Sequence, residues 1–505
     1  MKTYAYFIAC LISIQGFAQN IEFENHRVNY KLSHEILRMD NEEDLGMVGI
    51  GADLFIFDKF PNLYVTLNSY SALTGERPGL ISFGMGVGYL QSLFDTPLEL
   101  DAGIFVGGGG GGGAPDGGGL ITRGHVNLAY NFNQFSLFAG YSRMDFPTGS
   151  MGGNNLNFGL SIHSFFDTAK KSPETNSETV TESMNRSRFR VSLLGMRYMD
   201  FAKGPFPPGS HSKADNIQLV GVEVDKFLSR NFYAALKLNG AVTGGIDGYM
   251  NYLIGFGYEQ PLGTDKLTLD AQILGGPSGG GGIDSGGGAT LQAGIGLRAH
   301  LGNEFEIKAS AGQSYAPGGT FSGTFLEFGL SKNFRFLYPK DKTANVYSLQ
   351  KGDKLHGFGL ELLNRTYFSP DKRDKNDRPY DKIFNLIGFQ ASKDLGKNFH
   401  ALGSTYWAYQ GSYGAYAEGW LGLRYAYPFA NTWRAYAQFL GGAAGGGGID
   451  LGSGLAFQYG LGIEKAISNH WGLSLSAGKM QGFKGNFNPA FIDFGVKYSF
   501  LQVSK

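Results

Sequence analysis

Three aspartates, Asp116, Asp284 and Asp450, each sit alone inside a glycine tract, at spacings of 168 and 166 residues. The tracts read GGGGGGGAPDGGG from Gly107, GGPSGGGGIDSGGG from Gly275 and GGAAGGGGIDLGSG from Gly441. A carboxylate among glycines suits two chemistries. Residues 279–284 and 445–450 fit the GGxGxD opening of calcium-binding nonapeptide repeats, which makes the aspartates candidate ligands for a divalent cation. Alternatively each aspartate accepts hydrogen bonds from backbone N–H groups of its own turn in a flexible outer loop. The turn reading is preferred, because cation-binding repeats must stack in tandem and the first tract carries Ala114 in place of a glycine. No GK[ST] follows any tract, so phosphate cradling is not assigned.

A second group could move protons. His163 shares one face with Asn157 and Ser161, a minimal acid–base cluster. The other histidines His125, His300 and His470 occupy different places relative to the tracts, and polar packing explains His163 equally well, so no catalytic residue is assigned. Glu327 and Asp493 occupy the position that Asn157 holds in the first copy, and Lys497 lies on the same face as Asp493. Inward acids of this kind pair with inward bases such as Arg298 or Lys497 in a narrow interior, or tune selectivity along a wide one. The single cysteine, Cys10, leaves no basis for disulfides, thiolate metal sites or cysteine catalysis, and neither metal nor cofactor is assigned.

The elements that must position these residues are strands. The segment NLNFGLSIHSF from Asn155 alternates Leu156, Phe158, Leu160 and Ile162 with Asn157, Gly159, Ser161 and His163. Leu326, Phe328 and Leu330 alternate in the same way with Glu327, Gly329 and Ser331, as do Ile492, Phe494, Val496, Tyr498 and Phe500 with Asp493, Gly495, Lys497 and Ser499. With 79 glycines, 27 tyrosines and 41 phenylalanines, the composition suits an all-β chain with many turns. Forty-three basic residues balance 43 acidic ones, which gives no electrostatic footprint for nucleic acid. The first 18 residues form an export signal with small residues Gly16 and Ala18 before a cut near Ala18, and no later stretch is long and apolar enough for a membrane helix.

Segments of about ten residues with one apolar and one strongly polar face are those of membrane-crossing strands. Phe132, Phe336, Tyr425 and Phe500 at strand ends suit interfacial girdles. In these respects the chain resembles the outer-membrane β-barrel proteins of Gram-negative bacteria. The resemblance is one of pattern, and it implies location and fold class without implying an activity. One departure is that Phe500 is followed by Leu501 to Lys505, whereas such chains often end on an aromatic.

The repeat divides the chain into a signal peptide (1–18), eight-stranded units at 19–166, 188–337 and 355–505, and polar linkers at 167–187 and 338–354. The fold class is therefore an all-β transmembrane antiparallel barrel of about 24 strands in three repeats of eight. Because long linkers fall only at unit boundaries, three closed eight-stranded barrels are preferred over one 24-stranded barrel. Connections after the second, fourth and sixth strands are tight and the others longer, which places the glycine tracts outside the cell. Three functions stay open: a structural or surface-binding protein acting through its glycine-rich loops, a passive porin-like channel, and a lipid-modifying enzyme. The expected partners are outer-membrane lipid and lipopolysaccharide, the latter a candidate contact for Asp116, Asp284 and Asp450.

Overall fold

The structure, a computed structural model, describes residues 20–39, 42–57, 59–171, 184–201, 217–246, 248–302, 304–340, 346–350 and 352–505. The leader, its cut site and Cys10 lie outside these. Every regular element among the described residues is a strand. The first eight are β1 (Asn20–Leu37), β2 (Leu45–Phe55), β3 (Leu63–Thr74), β4 (Ile81–Ser92), β5 (Leu98–Gly110), β6 (Leu120–Asn131), β7 (Phe135–Asp145) and β8 (Gly152–Lys171). Each pairs antiparallel with the next, and β8 returns to β1 from Ile21 opposite Lys171 to Glu35 opposite Asn157.

The next eight are β9 (Met184–Phe201), β10 (Gln218–Phe227), β11 (Phe232–Thr243), β12 (Met250–Leu262), β13 (Thr264–Gly279), β14 (Ala289–Leu301), β15 (Phe305–Tyr315) and β16 (Ser322–Pro339). They close where β16 pairs with β9, from Gly323 opposite Phe201 to Pro339 opposite Met184. After a short β17 (Val346–Ser348) come β18 (Lys354–Phe368), β19 (Ile383–Asp394), β20 (Phe399–Gln410), β21 (Ala417–Ala430), β22 (Trp433–Gly445), β23 (Leu455–Ala466), β24 (Trp471–Gly482) and β25 (Ala490–Ser504). Here β25 pairs with β18 from Lys354 opposite Ser504 to Phe368 opposite Ala490. Each set of eight thus returns to its own first strand, so its ladder leaves no long unpaired edge.

The period of two fixes what each ring shows to its surroundings. Along β14, Leu291, Ile295 and Leu297 are exposed, whereas Thr290, Gln292 and Arg298 are buried. A water-soluble fold would do the reverse, since burying large aliphatic side chains is its main driving force. Charged groups inside and aliphatic groups outside make sense only where hydrocarbon surrounds the ring.

The rings also touch one another. At the end carrying the tight turns, the start of β1 pairs with β17, the end of β16 meets the end of β25, and Leu501 lies opposite Ala169 of β8. Ile21, Phe23, Ala169, Leu337, Tyr347 and Val503 bury one another there in an apolar knot. This corrects the linker boundaries at 167–187 and 338–354. Residues 167–171 continue β8, residues 184–187 belong to β9, and the second connection contributes β17 to the knot. Their polarity hid this, because strands that project past the hydrocarbon no longer need an apolar face.

Candidate functional site: glycine tracts and ring interiors

Each glycine tract begins as strand and ends in a turn. The N–H groups of Ala114, Ile283 and Ile449 donate to the carbonyls of Gly111, Gly280 and Gly446 at 3.0, 3.1 and 3.2 Å. The two residues between have φ of 63° and 65° in the first tract, 58° and 75° in the second, and 60° and 80° in the third. Two successive positive φ values define a type I′ turn, which a glycine pair adopts without strain. The aspartates complete the turns. An Asp116 oxygen accepts from the Gly111 N–H at 2.9 Å, Asp284 from Gly286 at 3.2 Å and Thr320 at 3.0 Å, and Asp450 from Gly452 at 3.1 Å. No cluster of three metal-ligating side chains occurs among the described residues.

The tracts are packed against protein, which corrects the expectation of flexible outer loops. A β-carbon on Gly108 would lie 2.6 Å from the Trp407 carbonyl oxygen, one on Gly287 2.4 Å from Thr74 Cα, and one on Gly248 3.0 Å from the Gly446 nitrogen. The first tract therefore lies on the third ring, the second on the first, and the third on the second. Each meets the connection after its neighbour's third strand, so the seams run cyclically. The sequence held a signal for this: there are more glycines than a turn and its cap can use.

Asp116 sits in one of these seams. A β-carbon on Gly414 of the third ring would come within 2.7 Å of its carboxylate. Burial pushes its carboxyl up to about 6, against the Gly111 N–H bond, which favours the charged form. The ordinary value is about 4, so the folded state holds this proton more tightly than the unfolded chain does. Stability from this group is fully present below about pH 4 and is lost as pH rises through about 6. The unfolding midpoint of the native chain should therefore fall over that window relative to Asp116→Asn, measured by thermal scans at matched ionic strength. Parallel curves for the two proteins would contradict this placement of the carboxylate.

The ring interiors hold paired charges. In the first ring Lys31 meets Asp53 at 2.6 Å and Asp101 at 2.8 Å, and Arg123 meets Glu35 at 2.8 Å. In the second, Arg190 meets Asp225 at 2.8 Å, and Arg298 meets Glu223 and Asp270, each at 3.2 Å. In the third, Arg365 meets Asp493 at 2.8 Å and Glu418 at 3.2 Å.

The residues expected to face inward fall on these interiors with partners the sequence did not specify. Glu327 is held by Lys237 at 2.9 Å and Lys308 at 2.8 Å, Asp493 by Arg365, and Lys497 by Glu464 at 2.9 Å. Asn157 is buried, and its amide makes no side-chain hydrogen bond among the described residues. His163 lies at the turn-end rim, 2.9 Å from the Ser136 hydroxyl and 3.0 Å from the Asn133 carbonyl, where it ties β8 to the preceding turn.

Toward the loop end each interior closes over with apolar side chains. Met47, Tyr70, Ile121 and Met144 close the first ring, Tyr198, Tyr249, Ile283 and Phe321 the second, and Tyr367, Phe384, Ile449 and Phe487 the third. Ile283 and Ile449 come from the glycine tracts, so a tract both seals its own ring and grips the next. What space remains inside is small: cavities of about 20 Å³ in the first ring and about 10 Å³ in the second.

No family model and no curated protein matches the chain. Among solved structures it is similar to the siderophore receptor PirA from Acinetobacter baumannii, at 10% identity and a TM-score of 0.27 over 94% of this chain and 80% of that one. It is also similar to Pseudomonas aeruginosa OpdQ, at 8% identity and a TM-score of 0.21 over 95% and 98%, and to OccK1 (OpdK) of the same organism, at 10% and 0.22 over 95% and 98%. Likeness at this level assigns no activity. Closed antiparallel ladders with aliphatic exteriors and ion-paired interiors make this chain an all-β protein built of membrane-type antiparallel β-barrels.

Proposed function

We propose that the protein is a non-conducting structural component of the outer membrane, in which three filled barrels stand side by side and the glycine tracts bind them into one platform. The tight turns and the apolar knot face the periplasm in this reading, and the tracts face outward, where lipopolysaccharide is the expected neighbour. The observation that carries it is the state of the interiors. An eight-stranded ring is just wide enough for side chains to fill. Here ion pairs fill the middle and aromatic and aliphatic groups seal the loop end. An ion entering would have to break buried pairs and then cross an apolar plug, and both steps are costly.

Conductance tests this directly. Purified full-length protein inserted into planar bilayers should leave the baseline current unchanged, without steady unitary steps. Insertion is checked separately by protease protection in the same lipid. Reproducible open channels would overturn the structural reading and put the porin-like function in its place.

A further inference from the structure

Between the three rings lies a cavity of about 1700 Å³, walled by residues from all three. The first ring contributes Ile81 and Phe83, the second Val220, Leu236 and Leu238, and the third Phe389, Leu421 and Phe439. These are outward-facing positions, the ones that elsewhere on the same strands meet membrane hydrocarbon. The glycine tracts line the cavity at the loop end through residues 110–113, 280–284 and 445–447, and the apolar knot lies at the opposite end of the rings.

Such a space has to be occupied. Water would find few hydrogen-bonding partners on walls of Leu, Val and Phe, and an empty volume this large would forfeit the dispersion contacts of its whole lining. The volume also exceeds the roughly 300–1,000 Å³ of ordinary small-molecule pockets. Side chains have not grown in to fill it: Gly419 and Gly441 line the cavity, and a β-carbon on either would meet nothing within 4 Å.

Of the residues lining the cavity, Asn239, Tyr249, Asn251, Ser404 and Trp407 each have a buried polar side-chain atom without a hydrogen-bond partner among the described residues, and Trp407 is the one on the outward face of its strand. Trp407 lines the cavity near the loop end of β20, is 7% exposed, and its Nε1–H makes no hydrogen bond among the described residues. A buried indole N–H normally finds an acceptor. The acceptor that belongs with aliphatic chains is the carbonyl of an acyl ester. Charge narrows the choice further, because no lysine or arginine is among the described residues lining the cavity, whereas Glu76, Asp284 and the Arg365-paired Glu418 are. A lipid carrying several phosphates would meet no cation on the wall itself, and the nearby Arg77, which donates to the Gly112 and Gly113 carbonyls, is already paired with Glu42.

We propose that this cavity is a lipid-binding site for a zwitterionic phospholipid, with its acyl chains between the three rings and an ester carbonyl accepting from Trp407 Nε1. The inference goes beyond the structural role and is independent of whether the barrels conduct.

The test reads bound lipid. Full-length protein, refolded without lipid and checked for its folded, heat-modifiable band, is incubated with phosphatidylethanolamine in one arm and with lipid A in the other. Bound lipid is counted by native mass spectrometry after exhaustive detergent exchange. The expected result is retained phosphatidylethanolamine at one or more per chain. Retention should fall at least several-fold in the cavity-filling variant Gly419→Phe/Gly441→Phe, with no change in Gly124→Phe, an open site on the first ring outside the cavity. Trp407→Phe, which keeps the ring and removes the donor, should shorten retention.

Three outcomes would overturn the proposal: no lipid retained by folded protein, retention of lipid A alone, or equal loss in the Gly124→Phe control. If the double variant fails to fold, the native protein's two arms and Trp407→Phe still decide it.

Discussion

Replacing Arg365 by methionine is expected to cost about 3–5 kcal/mol of folding free energy, the range for stripping one partner from a buried ion pair. Arg365 is fully buried and serves two carboxylates, meeting Asp493 through two parallel bonds of 2.8 Å and Glu418 at 3.2 Å. Its guanidinium also lies 3.8 Å from the Tyr406 ring centroid and 4.0 Å from that of Phe491, so no water takes its place on either face. Without it Asp493 keeps, among the described residues, only a distant Tyr406 hydroxyl at 3.4 Å. Glu418 fares better, since Tyr367, Tyr416 and Trp420 donate to it at 2.6, 2.7 and 2.9 Å.

That asymmetry makes the second half of the experiment informative. In Arg365→Met/Asp493→Leu the stranded charge is gone and Glu418 retains its three donors, so most of the lost stability should return, as when apolar groups replace a whole buried pair. Urea unfolding in lipid vesicles, extrapolated linearly, gives both numbers. A single variant within about 0.5 kcal/mol of native, the range of surface substitutions, would mean that the interior is hydrated and that the ion pairs do not seal it.

Much of this fold could be read from the chain because a strand's period of two is local information. The alternating segment from Asn155 falls within β8, that of Leu326 to Ser331 within β16, and that of Ile492 to Phe500 within β25. The inward placement of Glu327, Asp493 and Lys497 followed from the same alternation. Their partners did not, because opposition across an interior depends on ring curvature and shear, which no single strand encodes. Glu327 pairs with Lys237 and Lys308, not with Arg298.

The seams were hidden for a related reason. An outward glycine such as Gly108 looks the same in sequence whether it faces lipid or the Trp407 carbonyl of another ring. The extension of β8 through Lys171 was hidden by composition. It pairs by backbone with Ile21 to Asn25 beyond the hydrocarbon, where nothing selects for apolar side chains.

The second ring, Met184 to Pro339, should fold when expressed without the other two. Its closure is its own, since β9 and β16 pair along their length, and a ring that satisfies its backbone internally needs no neighbour to enter a bilayer. Its interior charges are also self-contained. Arg190, Arg298, Lys237 and Lys308 find Glu223, Asp225, Asp270 and Glu327 all within the same eight strands.

What excision removes lies at the two ends. The contact of Leu337 with Val503 is lost from the knot, and the second tract loses the connection of the first ring on which Gly279 and Gly287 rest. The isolated ring is therefore expected to give a heat-modifiable, β-rich species in detergent, with a lower unfolding midpoint than the full chain and faster amide exchange concentrated at residues 279–288, at Gly248 on which the third tract rests, and at the knot end of β16. If those eight strands instead belonged to one large barrel, cutting them out would leave two unpaired edges in lipid, and such edges aggregate. A fragment that aggregates under every refolding condition in which the full chain folds would therefore defeat the reading of three closed rings, whatever the conductance of the intact protein.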